Sequence, residues 1–320
     1  MIKRYTRACN FYSGQKSYEM VKKGAAIALS KNNSISFDNI EIITRKQKKK
    51  IHIREIKKQS KKIKEKIYSD IKLITKKKKF KGLNFLNSPI LMGVINLTPD
   101  SFSDGGKYNK KNLGFKHASY LVKKGCDILD IGGESTRPGA KDINQKIEWK
   151  RIVETLKKVR KLNKFISLDT RKSWIMEKGI KYKVDLINDV SGLDYDNNTK
   201  NILKKYNTPF VIHHMLGSPK NMQKNPRYKN VLLDVYDFFE ERIKFVRSNN
   251  IKHNNIILDP GIGFGKNLKH NITLLKNISI FHSLGLPIML GLSRKRFIKD
   301  ISKESDTKDR IGGTVSSCIQ

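Results

Sequence analysis

The sequence predicts an α/β protein: a TIM-type (β/α)8 barrel with strands one to seven present and the eighth strand and helix missing, preceded by a small α+β extension. Three observations predict it. From residue 90 onward, short apolar runs recur seven times, each turning abruptly polar and each followed by a segment with helical spacing. All seven runs, not only those at one switch point, carry polar residues at their C-terminal ends, which favours a closed barrel over an open doubly wound sheet. The first 88 residues differ in composition, with 25 Lys and Arg against 6 Asp and Glu, half of the net charge of +38 carried by the 320-residue chain. The expected division is a basic extension and linker over residues 1–82 and a barrel domain, incomplete at its C-terminus, over residues 83–320.

In the extension, residues 18–29 read as a helix with Met20, Val21 and Ala25 inward, and the apolar positions within 35–43 and 51–56 as short strands. Residues 57–81 are helix-prone and then a linker, with the run KKKKFK at 76–81 solvated. A net charge of +38 would ordinarily suggest nucleic acid. Here the lysines are spread over loops and helix faces together with Asn and Ile, and are not interleaved with exposed aromatics, so they read as compositional drift and a nucleic-acid partner is not expected. Cys9, Cys126 and Cys318 are odd in number and far apart, which argues against a disulfide framework or zinc site and for a reducing compartment. No run approaches the roughly 18 to 20 apolar residues of a spanning helix, and no signal-peptide core opens the chain, so a cytoplasmic protein without a membrane partner is expected.

The barrel begins with the buried-strand pattern of residues 90–95, which turns polar at Asn96 and continues into the turn-rich TPDSFSDGG. A helix over 113–124, with Ala118, Leu121 and Val122 on one face, precedes strand two at 127–131 and its tip GGESTRPG. The helix of about 144–162 follows, with Trp149, Ile152, Val153, Leu156 and Val159 at i, i+3, i+4 steps. Strands three to seven are expected at 165–168, 184–187, 210–212, 256–258 and 288–290, ending respectively in Asp169-Thr170-Arg171, Asn188-Asp189, His213-His214, Asp259-Pro260-Gly261 and Ser293-Arg294-Lys295-Arg296. Residues 90–320 hold no eighth such run, so the chain reads as a copy lacking its last βα unit.

Gathered at one barrel mouth, the tips offer the carboxylates Asp130, Asp169 and Asp259, the amides Asn96 and Asn188, the hydroxyls Thr136 and Ser293, and the cations Arg137, Lys266, Lys295 and Arg296. Buried Asp and Asn together read a heterocycle that has both donors and acceptors, such as a purine or pterin. Arg, Lys and Thr suit a phosphate. Asp169 and Asp189 could equally be helix caps. Adjacent residues on a strand point to opposite faces, so His213 and His214 cannot easily share a metal ion, and one is expected at the mouth with the other packed outside. The glycines of 261–265 match no nucleotide fingerprint and are expected to let the backbone approach a flat ligand.

TPDSFSDGG from Thr98, GGESTRPGA from Gly132, LDTRK from Leu168, INDVSGL from Ile187, HMLGSPKNMQ from His214, LDPGIGFGKN from Leu258 and GLSRKRF from Gly291 together resemble bacterial dihydropteroate synthase, of the pterin-binding enzyme family. The extension resembles, more weakly, one carried by some alphaproteobacterial members. The resemblance implies a folate-pathway transferase and sulfonamide target, which condenses 6-hydroxymethyl-7,8-dihydropterin diphosphate with 4-aminobenzoate to give 7,8-dihydropteroate and diphosphate. Carried over motif by motif, Asp169, Asn188, Asp259 and Lys295 would hold the pterin, with Asp169, Arg137 and Lys295 catalytic. Thr136, Arg137 and Asn96 would face the diphosphate, Asn96 meeting Mg2+. Phe102, Pro138, Phe264 and Ser293 would line the aminobenzoate pocket. A homodimer is also implied. Two departures stand out: the family's Arg-x-His motif of the eighth strand is not in this chain, and His213 replaces the usual apolar residue. The rival readings are a pterin-binding methyltetrahydrofolate methyltransferase, against which TPDSFSDGG, STRPG and SRKRF speak, and a polyanion-binding protein using residues 57–81.

Overall fold

The computed structural model describes residues 2–85, 89–98, 112–136, 139–303 and 306–319, and the chain divides into two compact units. The first unit takes in residues 1–79, 228–240 and 272–288; the second takes in 80–227, 241–271 and 289–320.

The first unit is organised on one long strand, β3 (Asn32–Ile43), whose edge pairs antiparallel with β1 (Tyr5–Ser13) from Tyr5 opposite Ile43 to Ser13 opposite Ile35. Its other edge takes β2 (Ile27–Leu29) and β4 (Lys48–His52). Helix α1 (Gly14–Lys22) starts and stops earlier than its apolar spacing suggests, and its fully buried residue is Ser17, bonded to the Ser36 hydroxyl at 2.8 Å. Met20 and Val21 are only half-buried. Helix α2 (Lys61–Thr75) turns Ile67 and Ile74 into a core shared with Ala8, Phe37, Ile40, Ile51 and Ile56. Later segments of the chain complete this unit. Asp237 receives Lys3 at 2.6 Å, the Tyr5 hydroxyl at 2.9 Å and Arg45 at 2.7 Å, and Arg7 donates to the Lys276 carbonyl at 3.2 Å.

The second unit holds a six-stranded parallel sheet in the order β10, β9, β8, β7, β6, β5, which run Ile256–Asp259, Phe210–His213, Leu186–Asp189, Phe165–Asp169, Ile128–Gly132 and Met92–Asn96. Sequential order across the sheet is what strand-helix-strand crossovers produce. Helices α3 (Leu113–Lys123), α4 (Gln145–Val159), α5 (Ser173–Lys181) and α6 (Thr199–Tyr206) fill the crossovers from β5 to β9; α7 (Val231–Ser248) and α8 (Leu268–Lys276) are divided between the two units, and α9 (Arg296–Ser302) and α10 (Ile311–Ile319) belong to the second. Asn144 caps α4 by accepting the Lys146 amide at 2.8 Å, and Ile152, Leu156 and Val159 are buried as their spacing requires.

The expected seventh strand is reduced to a bridge at Ile288, with Met289 N donating to the Leu258 carbonyl at 2.9 Å. Pro287 has no amide to add to a ladder. The linker reading of 76–81 also changes. Phe80 is 6% exposed and packs on Leu186, Val211 and Ile257, while Phe80 and Leu83 form a small bridge. Cys9, Cys126 and Cys318 are all unpaired. Among the described residues no helix is long and apolar enough to cross a membrane.

Candidate active site

The parallel register places the polar tips in order. Asn96 ends β5 opposite Gly132 of β6; Gly132 stands opposite Asp169 of β7, and Asp169 opposite Asn188 of β8. These residues therefore form one row across four strands at the C-terminal ends. Gly132 matters in that row, because a Cβ there would sit 3.3 Å from Asp169 Oδ2. One level down, Asp130 lies on the same face of β6 and accepts the Asn188 Nδ2 hydrogen at 3.1 Å. Burial, and then the charges of Asp130, Glu148, Asp189 and Glu134, hold the Asp169 carboxyl well above the usual range. Asp169 makes no capping bond and has no hydrogen-bond partner among the described residues. Asp189 is different: its Oδ1 accepts the Ser191 amide and hydroxyl at 2.8 and 2.6 Å, so it is a turn residue, and burial pushes its carboxyl up to about 6.

A second cluster lies at the tips of β9 and β10, where His213 and Asp259 are opposite one another. Asp259 Oδ1 accepts the Gly261 amide at 2.8 Å. Lys295, the residue before α9, donates to the Ile262 carbonyl and lies 4.8 Å from the centre of the Phe264 ring. Burial lowers its ammonium to about 8, against an opposing pull from Asp259. Phe264 meets His213 edge-on at 4.6 Å. His213 bonds through Nδ1 to the Val190 carbonyl at 2.9 Å, and burial lowers it to about 4, so it is a neutral ring that donates there. Both histidines are buried, at 3% and 5% exposure. Lys266 Nζ reaches His214 Nδ1 at 2.9 Å and the Phe264 carbonyl at 2.9 Å. The loop glycines serve the protein's own backbone: Gly261 has φ +65°, and a Cβ on it would meet the His214 carbonyl at 1.9 Å.

A protein-family model described as pterin binding enzyme matches residues 92–320. The chain belongs to the pterin-binding enzyme family. Dihydropteroate synthase of Neisseria meningitidis serogroup C is 41% identical over 237 residues, 73% of this chain and 84% of that protein. The structure of Yersinia pestis dihydropteroate synthase with a sulfonamide drug matches with a TM-score of 0.71 at 36% identity, covering 75% of this chain and 87% of that one. The Xanthomonas albilineans dihydropteroate synthase with 4-aminobenzoic acid matches with a TM-score of 0.67 at 33% identity, covering 73% and 83%.

In this pterin-binding enzyme the remaining candidate residues are less gathered. Thr136 is half-buried in the loop after β6, and Ser293 is exposed before α9; no hydrogen bond among the described residues ties either to the two clusters. Phe102, Arg137 and Pro138 lie outside the described residues. Behind the row stands a network the motifs contained but residue-by-residue reading passed over. Glu134 accepts Arg171 Nε and Nη2 at 3.0 and 2.7 Å on one oxygen and Lys172 at 2.6 Å on the other. Lys172 also reaches Glu148 at 2.6 Å, and Glu148 accepts the Thr170 hydroxyl at 2.7 Å. Burial works against the Lys172 ammonium, yet the carboxylates of Glu148 and Glu134 keep its proton affinity above the ordinary value. The β6 loop is thereby pinned to the β7 loop immediately beyond Asp169. The signal available was GGEST and LDTRK, two motifs carrying opposite charges beside the tips.

Proposed function

We propose that this chain is a dihydropteroate synthase, a transferase that joins 6-hydroxymethyl-7,8-dihydropterin diphosphate to 4-aminobenzoate, releasing diphosphate. The observation that carries the reading is the row Asp169 and Asn188 with Asp130 beneath it, in which buried acceptors outnumber donors. Such an edge suits a ring that presents amino and ring N–H groups. Asp169, Asn188, Asp259 and Lys295 hold the pterin, and Thr136 and Arg137 take the diphosphate. Phe102, Pro138, Phe264 and Ser293 line the aminobenzoate pocket.

The chemistry follows from the charges. The bond from the exocyclic carbon to the diphosphate oxygen breaks with its electron pair leaving on the diphosphate, and positive charge develops on the electron-rich ring. The developing positive charge beside Asp169 favours the ionised form of its carboxyl, which in turn attracts that charge. The aniline nitrogen then forms the new C–N bond and gives up a proton. No strong base is required, because ionisation is the hard step.

Among the described residues no three His, Cys, Asp or Glu side chains gather to hold a metal ion. The donor that is present, the amide oxygen of Asn96 at the end of β5, suits Mg2+, which prefers few protein ligands and takes its others from phosphate oxygens and water. Asn96 would hold it, and when bound it would neutralise charge on the leaving diphosphate. The six-stranded parallel sheet is best understood as part of a (β/α)8 barrel. Val94, on the same face as Met92 and Asn96, is 49% exposed on the edge strand β5. The assay is diphosphate release from the two substrates with and without Mg2+; wild-type turnover lost in Asp169→Asn supports the reading, and full activity in that variant refutes it.

A further inference from the structure

The steps above leave Asp130 without a role. It lies on β6 two residues before Gly132, so its side chain leaves the same face of the strand as the row above it. It is 4% exposed and accepts the Asn188 amide hydrogen at 3.1 Å. Asn188 Oδ1 is buried without a partner among the described residues. Such orphans are rare in native proteins and point to a group that arrives from outside. An asparagine amide has two ends of similar size, and rotation by half a turn exchanges an acceptor for a donor. An ionised carboxylate beneath it accepts only, so it selects the orientation with Nδ2 toward Asp130 and Oδ1 away from it. Burial opposes ionisation of Asp130, while the neighbouring Ser167 hydroxyl and Asn188 amide favour it.

We propose that Asp130 is a specificity-determining positioning residue: it fixes which end of the Asn188 amide meets the ligand, so that the Asn188 Oδ1 accepts from the amino edge of a pterin ring. This rests on the pterin reading of the site. Its consequence is discrimination. A pteridine with oxygen in place of the 2-amino group, a lumazine, brings an acceptor to an acceptor and is rejected. Asp130→Asn removes this control, because the new amide can donate to Asn188 Oδ1 and let Asn188 turn its Nδ2 outward.

The test is calorimetric titration of the full chain with 6-hydroxymethylpterin and 6-hydroxymethyl-lumazine, which needs no turnover. Wild type should favour the pterin. Asp130→Asn should lower the ratio of the two affinities by about tenfold or more, since loss of a matched hydrogen-bond pair relaxes selection of this kind. Asp130→Leu and Asn188→Ala should each weaken pterin binding, and the double variant should bind no more weakly than Asn188→Ala alone, because one residue acts through the other. An unchanged ratio in Asp130→Asn, or additive losses in the double variant, overturns the proposal. A wild type that makes dihydropteroate yet binds both pteridines equally overturns it while leaving the activity standing. A wild type that binds neither pteridine removes the pterin reading and the proposal together.

Discussion

Glu134→Gln is the most informative single change outside the ligand contacts. The Glu134 side chain is 3% exposed and meets Arg171 and Lys172, themselves 6% and 8% exposed, at 2.7 and 2.6 Å. Removing one member of a buried ion pair costs about 3–5 kcal/mol, because the partner charge is left without compensation. Here Lys172 keeps Glu148 at 2.6 Å and Arg171 keeps the half-exposed Asp142 at 3.0 Å, which puts the expectation at the lower end, about 3 kcal/mol. For a domain of this size that corresponds to a fall in Tm of roughly 6–12 °C. Thermal denaturation followed by circular dichroism measures it, with Glu154→Gln as the control, since that carboxylate pairs with Lys157 in solvent and should move nothing. The same variant should lose turnover more than it loses aminobenzoate binding, because the network ties the Thr136 loop to the Asp169 loop. A Tm within about 2 °C of wild type would mean that the pair contributes no net stability and that the pinning argument is wrong.

Two further predictions concern protons. Lys295 has a folded pKa of about 8 against an ordinary 10.5, so between those values the unfolded chain holds a proton that the folded one has released, and stability should rise with pH across that window. Over the same range the pterin site loses a cation: the KM for the pterin diphosphate should climb above pH about 8 in wild type and stay flatter in Lys295→Arg, and a wild-type KM independent of pH would exclude Lys295 as a charged ligand. His213, lowered to about 4 from 6.5, is neutral when folded, so stability should fall as pH drops from 6.5 toward 4, by up to about 3 kcal/mol from this group. Urea midpoints at the two ends of that window should show a smaller loss in His213→Leu, although that variant starts lower at neutral pH because the Val190 carbonyl loses its donor.

How much could be read in advance follows from how local each signal is. The strands of the second unit are fully buried apolar runs, and both the run and its polar end are written in consecutive residues; β6 through β10 accordingly fall within a residue or two of their expected places. Asp169, Asn188 and Asp259 come from the same grammar, since a polar residue at the end of such a run has nowhere else to point. β1 was not legible, because Thr6, Arg7 and Asn10 break its alternation and its pairing partner lies some thirty residues away on β3. Phe80 was hidden among lysines, and only its packing on Leu186, Val211 and Ile257 shows that it is core.

The strand order, the level of each tip and the kind of ligand thus belong to the amino-acid sequence itself, because backbone pairing in a parallel sheet converts a repeated local pattern into a fixed row of side chains. Tertiary structure decided the rest. It gave Glu148, a charge on the buried stripe of its helix, a partner in Lys172, it bonded His214 to Lys266, and it set Asp130 beneath Asn188. Each of these depends on which charge or amide finds which partner across a gap of many residues. Burial then makes that pairing obligatory, since a charge or amide removed from water has to find its partner in the protein or the ligand.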